Sequence, residues 1–291
     1  MFKVIFGQVI SGLSVGMVFF LISIGLSMVF GTLRVLNLAH ASFYMLGAYL
    51  SYTVTHYLGA SSDMFWVALA LAPVGVAIFG GIVELLLFRP IYKADLLYQL
   101  VLTFGLILVI SDIIKLLWGV QFYSIKIPSI LDGHVKFMGV TLSFYHLFMI
   151  VMGPLVLGLS WMILHRTKLG RVVRAVTYNR DMASALGVNV SLVYTFVFMF
   201  ASWLAGLGGT LMAPMSAIFL GMDLTVTIEC FIIIVIGGFG SLGGAFLGAV
   251  VFGLANSLGL LVLPKLAIAF GFMIMAVILI VRPWGIMGKP E

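Results

Sequence analysis

Runs of apolar residues long enough to cross a bilayer recur along this chain from end to end, and they constrain its fold more than any other feature. A membrane-crossing helix needs roughly 20 mostly apolar residues. Segments near residues 8–33, 38–58, 64–88, 97–118, 144–165, 191–213, 217–237, 243–263 and 265–282 reach or approach that length. Of the 291 residues, 63% are hydrophobic and 8% are charged, whereas a soluble domain carries about 25% charged residues. So few charges cannot cover a globular surface. The short alternating strands of a membrane β-barrel are not visible in the pattern. The sequence therefore predicts an all-α, polytopic bundle of about 8–10 spans, one transmembrane domain over residues 1–291. The first run is too long for a signal-peptide core and no small-residue cleavage site follows it, so it is expected to remain as a span.

Lysine and arginine sit mainly at the ends of the runs, which argues against a nucleic-acid surface despite the net charge of +6. One assignment of sides places Arg34, Arg89, Lys93, Arg166, Lys168, Arg171, Arg174, Arg180, Arg282 and Lys289 together, and Lys3, Lys115, Lys126, Lys136 and Lys265 opposite. The positive-inside rule then puts the 166–190 loop and the C-terminus in the cytoplasm and the N-terminus outside, with about nine spans. Arg34 is the point where this count would change, if the 34–40 stretch breaks within the membrane. The longest outside loop is expected near 119–143. The single cysteine, Cys230, lies in an apolar run and cannot form an intramolecular disulfide.

Small residues recur at four-residue spacing in Gly12-x-x-x-Gly16, Ala201-x-x-x-Ala205-x-x-x-Gly209 and Gly244-x-x-x-Gly248. Such patterns let helix backbones approach where lipid supplies no hydrophobic drive. The stretch G-G-F-G-S-L-G-G, residues 237–244, holds too many glycines for a stable helix, at roughly 1 kcal/mol lost per Gly against Ala. Gly237, Gly238, Gly240, Ser241, Gly243 and Gly244 therefore form either a tight turn or part of a gate. Asn37 and His40, between the first two runs, line either an interfacial loop or a pathway. Glu84 is expected to have a structural partner near Arg89, and Asp112 to pair with Lys115. Glu229, in T-I-E-C-F-I-I-I-V-I, is the best candidate for a buried acid.

One polar segment stands out, G-R-V-V-R-A-V-T-Y-N-R-D-M-A-S-A-L-G-V-N at 170–189. Val172, Ala175, Asn179, Met182 and Leu186 recur at helical spacing, with Arg171, Arg174 and Asp181 largely off that stripe. Gly187 stands where helices end in a left-handed cap. One or two short helices lying under the membrane follow from this. Small residues at Ala175, Ala183 and Ala185 suit docking into a protein groove, while the arginines suit either a protein partner or anionic lipid. No G-x-x-x-x-G-K-[ST] phosphate loop, metal-ligand spacing or nucleophile elbow occurs. Uphill transport by such a chain would draw its energy from elsewhere.

Several motifs in a fixed order carry a family likeness over nearly the whole chain. They are the stretch 12–49 with R-V-L-N-L-A-H-A-S-F, R-P-I-Y at 89–92, T-F-G-L at 103–106, T-K-L-G-R-V-V-R-A-V with A-S-A-L-G-V, I-G-G-F-G-S-L-G-G-A-F-L-G at 236–248 and V-R-P-W-G-I-M-G at 281–288. The chain resembles the permease subunits of branched-chain amino-acid ABC importers. That resemblance implies the large-pore (type II) importer permease fold in a bacterial inner membrane. It implies a second homologous permease, two ATP-binding subunits that hold ATP and Mg, and a periplasmic solute-binding protein, with no cofactor and no catalysis in this chain. By resemblance Gly170, Arg171, Arg174, Ala175, Asn179, Ala183 and Gly187 belong to the coupling segment that docks in the ATPase. A translocation path through Asn37, His40, Ser42, Thr103 and Glu229 is expected on the same basis. The family pattern near His40 reads N-x-A-H-G and then an acid, where this chain has Ala41 and Ser42. Branched-chain amino acids, related small carboxylates, aromatic acids and amides all remain as solutes. The alternative is an ion-coupled secondary transporter, which calls for buried acids and inverted repeats.

Overall fold

The computed structural model of the protein describes residues 2–288 except 60, 93, 138, 263, 265 and 266. The described residues form helices α1 (Phe2–Leu33), α2 (His40–Tyr57), α3 (Met64–Val83), α4 (Leu96–Trp118), α5 (Phe144–Arg166), α6 (Lys168–Tyr178), α7 (Arg180–Ala185), α8 (Val190–Met212), α9 (Met222–Gly237), α10 (Leu242–Val262) and α11 (Ala267–Val281). Six helical stretches are long and apolar enough to cross a membrane: Lys3–Leu33, Met64–Ile91, Leu96–Trp118, Phe144–Arg166, Val190–Met212 and Leu242–Val262. The other three apolar runs are also helical but shorter or less apolar, at 18 residues for α2, 16 for α9 and 15 for α11.

Small residues set the packing. Helix α8 lies against α1, α2 and α3, while α1 also packs on α10, α5 and α9. A side chain at Gly209 would strike the Tyr44 carbonyl, and one at Gly12 or Gly16 would strike the Gly253 or Ala249 carbonyl. Gly248 meets the Ile233 carbonyl in the same way. The four-residue small patterns therefore mark backbone crossings, where dispersion contacts replace the absent hydrophobic drive.

Helix α2 is short because its chain re-enters the bundle. Arg34 turns the backbone with φ 56° just after α1. By His40, Nε2 lies 3.1 Å from the Ile22 carbonyl, eleven residues before the end of α1, or about 16 Å back along its axis. The 34–39 stretch is thus a break at depth, yet α2 still runs to the outer end, where Trp118 donates to Thr53 at 2.8 Å. The two ends of the bundle are called outer and inner after the charge assignment, the 119–143 loop lying at the outer one. Lys3 lies against Gly139 at the end bearing the 119–143 loop. Thr32, Leu33 and Arg34 lie at the other end, beside Tyr92, Gln99 and Arg180. Lys93, Lys265 and Lys289 lie outside the described residues.

The outer loop holds a feature that the pattern does not announce. Strands β1 (His134–Phe137) and β2 (Val140–Ser143) form an antiparallel hairpin, with His134 opposite Ser143 and Phe137 opposite Val140. Four residues per strand are too few to give a clear alternation. The expected Asp112–Lys115 pair is corrected: both side chains are exposed on α4, and the ion pairs among the described residues are Arg89–Glu84 and Arg180–Asp181.

Candidate functional site

The inner end of the bundle carries α6 and α7, and local chemistry explains why they are two helices. The hydroxyl of Thr167 accepts from Gly170 N at 3.0 Å and caps α6. Asn179, extended at φ −151°, ends α6, and its side chain accepts from Met182 N at 2.9 Å to start α7. Gly187, at φ 83°, reverses the chain, and Val188 N returns to the Ala183 carbonyl at 3.0 Å. This is the left-handed helix stop that its position suggests. Asn189 then caps α8 through Leu192 N.

Most of the stripe at Val172, Ala175, Asn179, Met182 and Leu186 stays at the surface, whereas Ala183, one of the small residues suited to docking, is buried. Gly170, Val173, Val176 and Ala183 pack inward. Ala175, Asn179, Met182 and Leu186 are exposed, Met182 at 59% and Leu186 at 78%. Tyr178 is also exposed, so the outer face sets Tyr178, Met182 and Leu186 among the exposed charges Arg171, Arg180 and Asp181. Gly170 is needed for the inner contact, because a side chain there would strike the Ile163 and Leu164 carbonyls at the end of α5. Arg174 is exposed, and its guanidinium also donates to the Leu164 carbonyl and so caps α5. Arg171 is exposed and makes no side-chain hydrogen bond or ion pair among the described residues. Arg180 pairs with Asp181 at 3.7 Å.

An open cavity of about 750 Å³ lies beside α6 at the inner end. Met28 and Thr32 of α1, Trp161 and His165 of α5, Arg174 and Thr177 of α6, and Gly240 and Gly243 line it. The glycine stretch is a tight turn between α9 and α10. Gly238 and Gly240 have φ 98° and 74°, and Ser241 caps α10 by accepting from Gly244 N at 3.0 Å. Gly237 and Gly244 touch backbone to backbone. Met287 N donates to the Gly237 carbonyl at 3.0 Å, which pins the turn to the C-terminal segment.

Three of the expected path residues come together, and a fourth group missed in the sequence joins them. Asn37, His40 and Ser42 are buried where α2 begins. Ser42 donates to Asp223 Oδ2 at 2.5 Å, and Thr227 Oγ1 donates to the Leu38 carbonyl at 3.4 Å. Asn37 Oδ1 accepts from Ala39 N at 3.1 Å. These bonds tie the start of α2 to the start of α9 inside the protein. Asp223, 1% exposed, is the more deeply buried acid of α9, and Glu229 is partly buried halfway along that helix. Thr103 is buried on α4, where its hydroxyl donates to the Leu100 carbonyl at 3.0 Å, apart from the others.

A second buried acid is structural. Glu84 accepts from Tyr92 at 2.6 Å and from Thr195 at 2.7 Å, and Arg89 lies at 3.6 Å. Burial, with the bond to Glu84, pushes the Tyr92 hydroxyl well above its ordinary pKa and keeps it a donor. This network joins the inner end of α3 to the start of α8.

Comparison with known proteins agrees with this architecture. A family model described as branched-chain amino acid transport system / permease component matches residues 8–282. The chain is 30% identical to the high-affinity branched-chain amino acid transport system permease protein BraD of Pseudomonas aeruginosa, over 98% of this chain and 96% of that one. It is 26% identical to the permease protein LivH of Escherichia coli K12, over 98% and 96%. It is also 26% identical to LivM of the same organism, over 80% of this chain and 59% of that one. No solved structure matches. A multi-pass helical membrane protein matched by the family model over residues 8–282, this chain belongs to the branched-chain amino-acid transport system permease family.

Proposed function

We propose that this chain is the membrane permease of an ATP-driven importer for branched-chain amino acids or related small carboxylates in the bacterial inner membrane. The observation that carries the reading is the α6–α7 platform, with Tyr178, Met182 and Leu186 on its outer face and wedged by Gly170 against the end of α5. Since one organism's LivH and LivM both resemble this chain, a second homologous permease completes the membrane unit. Two ATP-binding subunits hold ATP and Mg, and a periplasmic binding protein delivers the solute. The chain itself catalyses nothing and holds no cofactor.

The geometry supports a mechanical role. Tyr178, Met182 and Leu186 would seat in a groove of the ATP-binding subunit, with Arg171 setting orientation more than affinity. Closure of the ATPase pair pushes on α6. The Thr167 cap and the Arg174 bond make α6 and the end of α5 one rigid corner. Helix α5 in turn meets α1 where Gly153 lies against Met17. The cavity beside α6 gives the corner room to move without opening the packed core. Membership of this family favours ATP over an ion gradient as the energy source.

Uptake of labelled leucine, isoleucine and valine into membrane vesicles holding the assembled complex tests the reading. Uptake that requires ATP and the binding protein is expected. Uptake driven by a proton or sodium gradient without ATP would contradict it.

A further inference from the structure

A second cleft at the inner end, of about 450 Å³, is lined jointly by the α6–α7 platform and by the ends of other helices. Small-molecule sites run from roughly 300 to 1,000 Å³. Asn179 and Arg180 come from the joint between α6 and α7, Arg34 from the turn after α1, Gln99 from α4 and Tyr194 from α8.

Two of these side chains are left unsatisfied. Gln99 is 6% exposed. Its amide nitrogen donates to the Ala94 carbonyl at 3.2 Å, but its Oε1 is buried with no protein partner. A buried acceptor without a donor costs about 1–3 kcal/mol, so what fills the cleft brings a donor group. Arg34 is the complementary case. It is exposed and makes no side-chain hydrogen bond or ion pair among the described residues. Arg180, the other arginine of the lining, already pairs with Asp181 at 3.7 Å. Among the described residues Arg34 is also the one non-glycine with a left-handed backbone, at φ 56°. Glycine adopts that turn without steric cost. The turn therefore does not account for an arginine here, whereas binding does, because a free guanidinium grips a carboxylate through two parallel bonds.

The two groups together select a ligand. A bare anion would satisfy Arg34 and leave Gln99 without a donor, and a simple amine would do the reverse. A molecule that carries both a carboxylate and an ammonium group meets both, and amino acids are that class. Place gives such a ligand an effect. It would bridge the platform to α1, α4 and α8, where the Thr177 and Thr32 hydroxyls stand 3.1 Å apart. The platform is what the ATPase has to push, so a bridging ligand resists the push.

We propose that this cleft binds a free amino acid on the inner side, through Arg34 and Gln99, and so brakes the transporter when its product accumulates. The brake rests on the importer reading, whereas the binding rests on the cleft alone.

The test uses the assembled complex in nanodiscs without the periplasmic binding protein, which would otherwise take up the probe. Equilibrium dialysis with labelled leucine is expected to show saturable binding. 4-Methylpentanoate, which lacks the amino group, and 3-methylbutylamine, which lacks the carboxylate, are each expected to bind about tenfold more weakly or worse, as loss of one charged hydrogen bond implies. Leucine is expected to slow ATP hydrolysis by at least half, over the concentrations at which it binds. Arg34→Gly keeps the left-handed turn and removes the guanidinium, and Gln99→Leu removes the buried acceptor. Both are expected to lose the binding and the slowing, each measured against its own rate without leucine. Arg171→Gln, at an exposed position of α6, is expected to keep both. The assignment is overturned if the unmodified complex shows no saturable leucine binding, if Arg34→Gly binds leucine as the unmodified chain does, or if bound leucine leaves ATP hydrolysis unchanged. An ATPase recovered with the chain but no leucine binding removes only the cleft site. If no ATPase accompanies the chain, the importer reading falls and the brake with it.

Discussion

Ser42 and Asp223 stand 181 residues apart in the chain and meet at 2.5 Å in its core. One oxygen of Asp223 is held by Ser42, while Oδ1 is buried with no protein partner. Ser42→Ala would leave the whole carboxylate without a side-chain donor, which costs about 1–3 kcal/mol. Thermal unfolding in detergent should show Ser42→Ala melting several degrees lower, with Ser42→Thr close to the unmodified protein; equal melting of both would remove the bond from the account. The sequence points to Glu229 as a buried acid and misses the more deeply buried Asp223, and the reason is physical. Glu229 is surrounded by apolar neighbours in the chain and is partly buried halfway along α9. Asp223 follows Gly221 and Met222 in a stretch that reads as a helix start. Its burial comes from the re-entrant start of α2, a contact that no local pattern contains.

At the scale of elements, the α6–α7 platform combines a legible part with an illegible one. Its existence, its basic charge and its stop at Gly187 follow from residue types. Which face points inward does not. The stripe Val172, Ala175, Asn179, Met182 and Leu186 stays mostly at the surface across the break at the Asn179 cap, and the packed face is Gly170, Val173, Val176 and Ala183, which the pattern does not single out. Two predictions separate the faces. Met182→Glu and Leu186→Glu, on exposed side chains, should change stability by no more than about 0.5 kcal/mol while weakening ATPase attachment roughly tenfold in a pull-down at graded salt. Gly170→Val should do the opposite at the α5–α6 corner. Its side chain would collide with two carbonyls, so a loss of folded yield in size-exclusion chromatography is expected. A stable Gly170→Val protein would mean that the corner is not rigid. Arg174→Glu is a mixed probe, since it also removes the bond to the Leu164 carbonyl, and Arg171→Glu is the cleaner test of charge.

At the scale of the whole molecule, hydropathy and charge carry most of the fold. Nine apolar runs become nine helices among the described residues, and the described lysines and arginines sort to the two ends of the bundle. What those signals do not contain is depth. The return of residues 34–39 into the bundle depends on Arg34 adopting a left-handed turn and on Gly25 leaving room for the His40 ring. The central claim is that this bundle is moved by an ATPase seated on α6 and α7. Purification of the tagged chain from native membranes in mild detergent, with mass spectrometry of what accompanies it, tests that claim most directly. The account predicts a second permease and a phosphate-loop ATPase with the unmodified chain, and the permease without the ATPase for Leu186→Glu. A single chain or a homo-oligomer that brings no ATPase would contradict it.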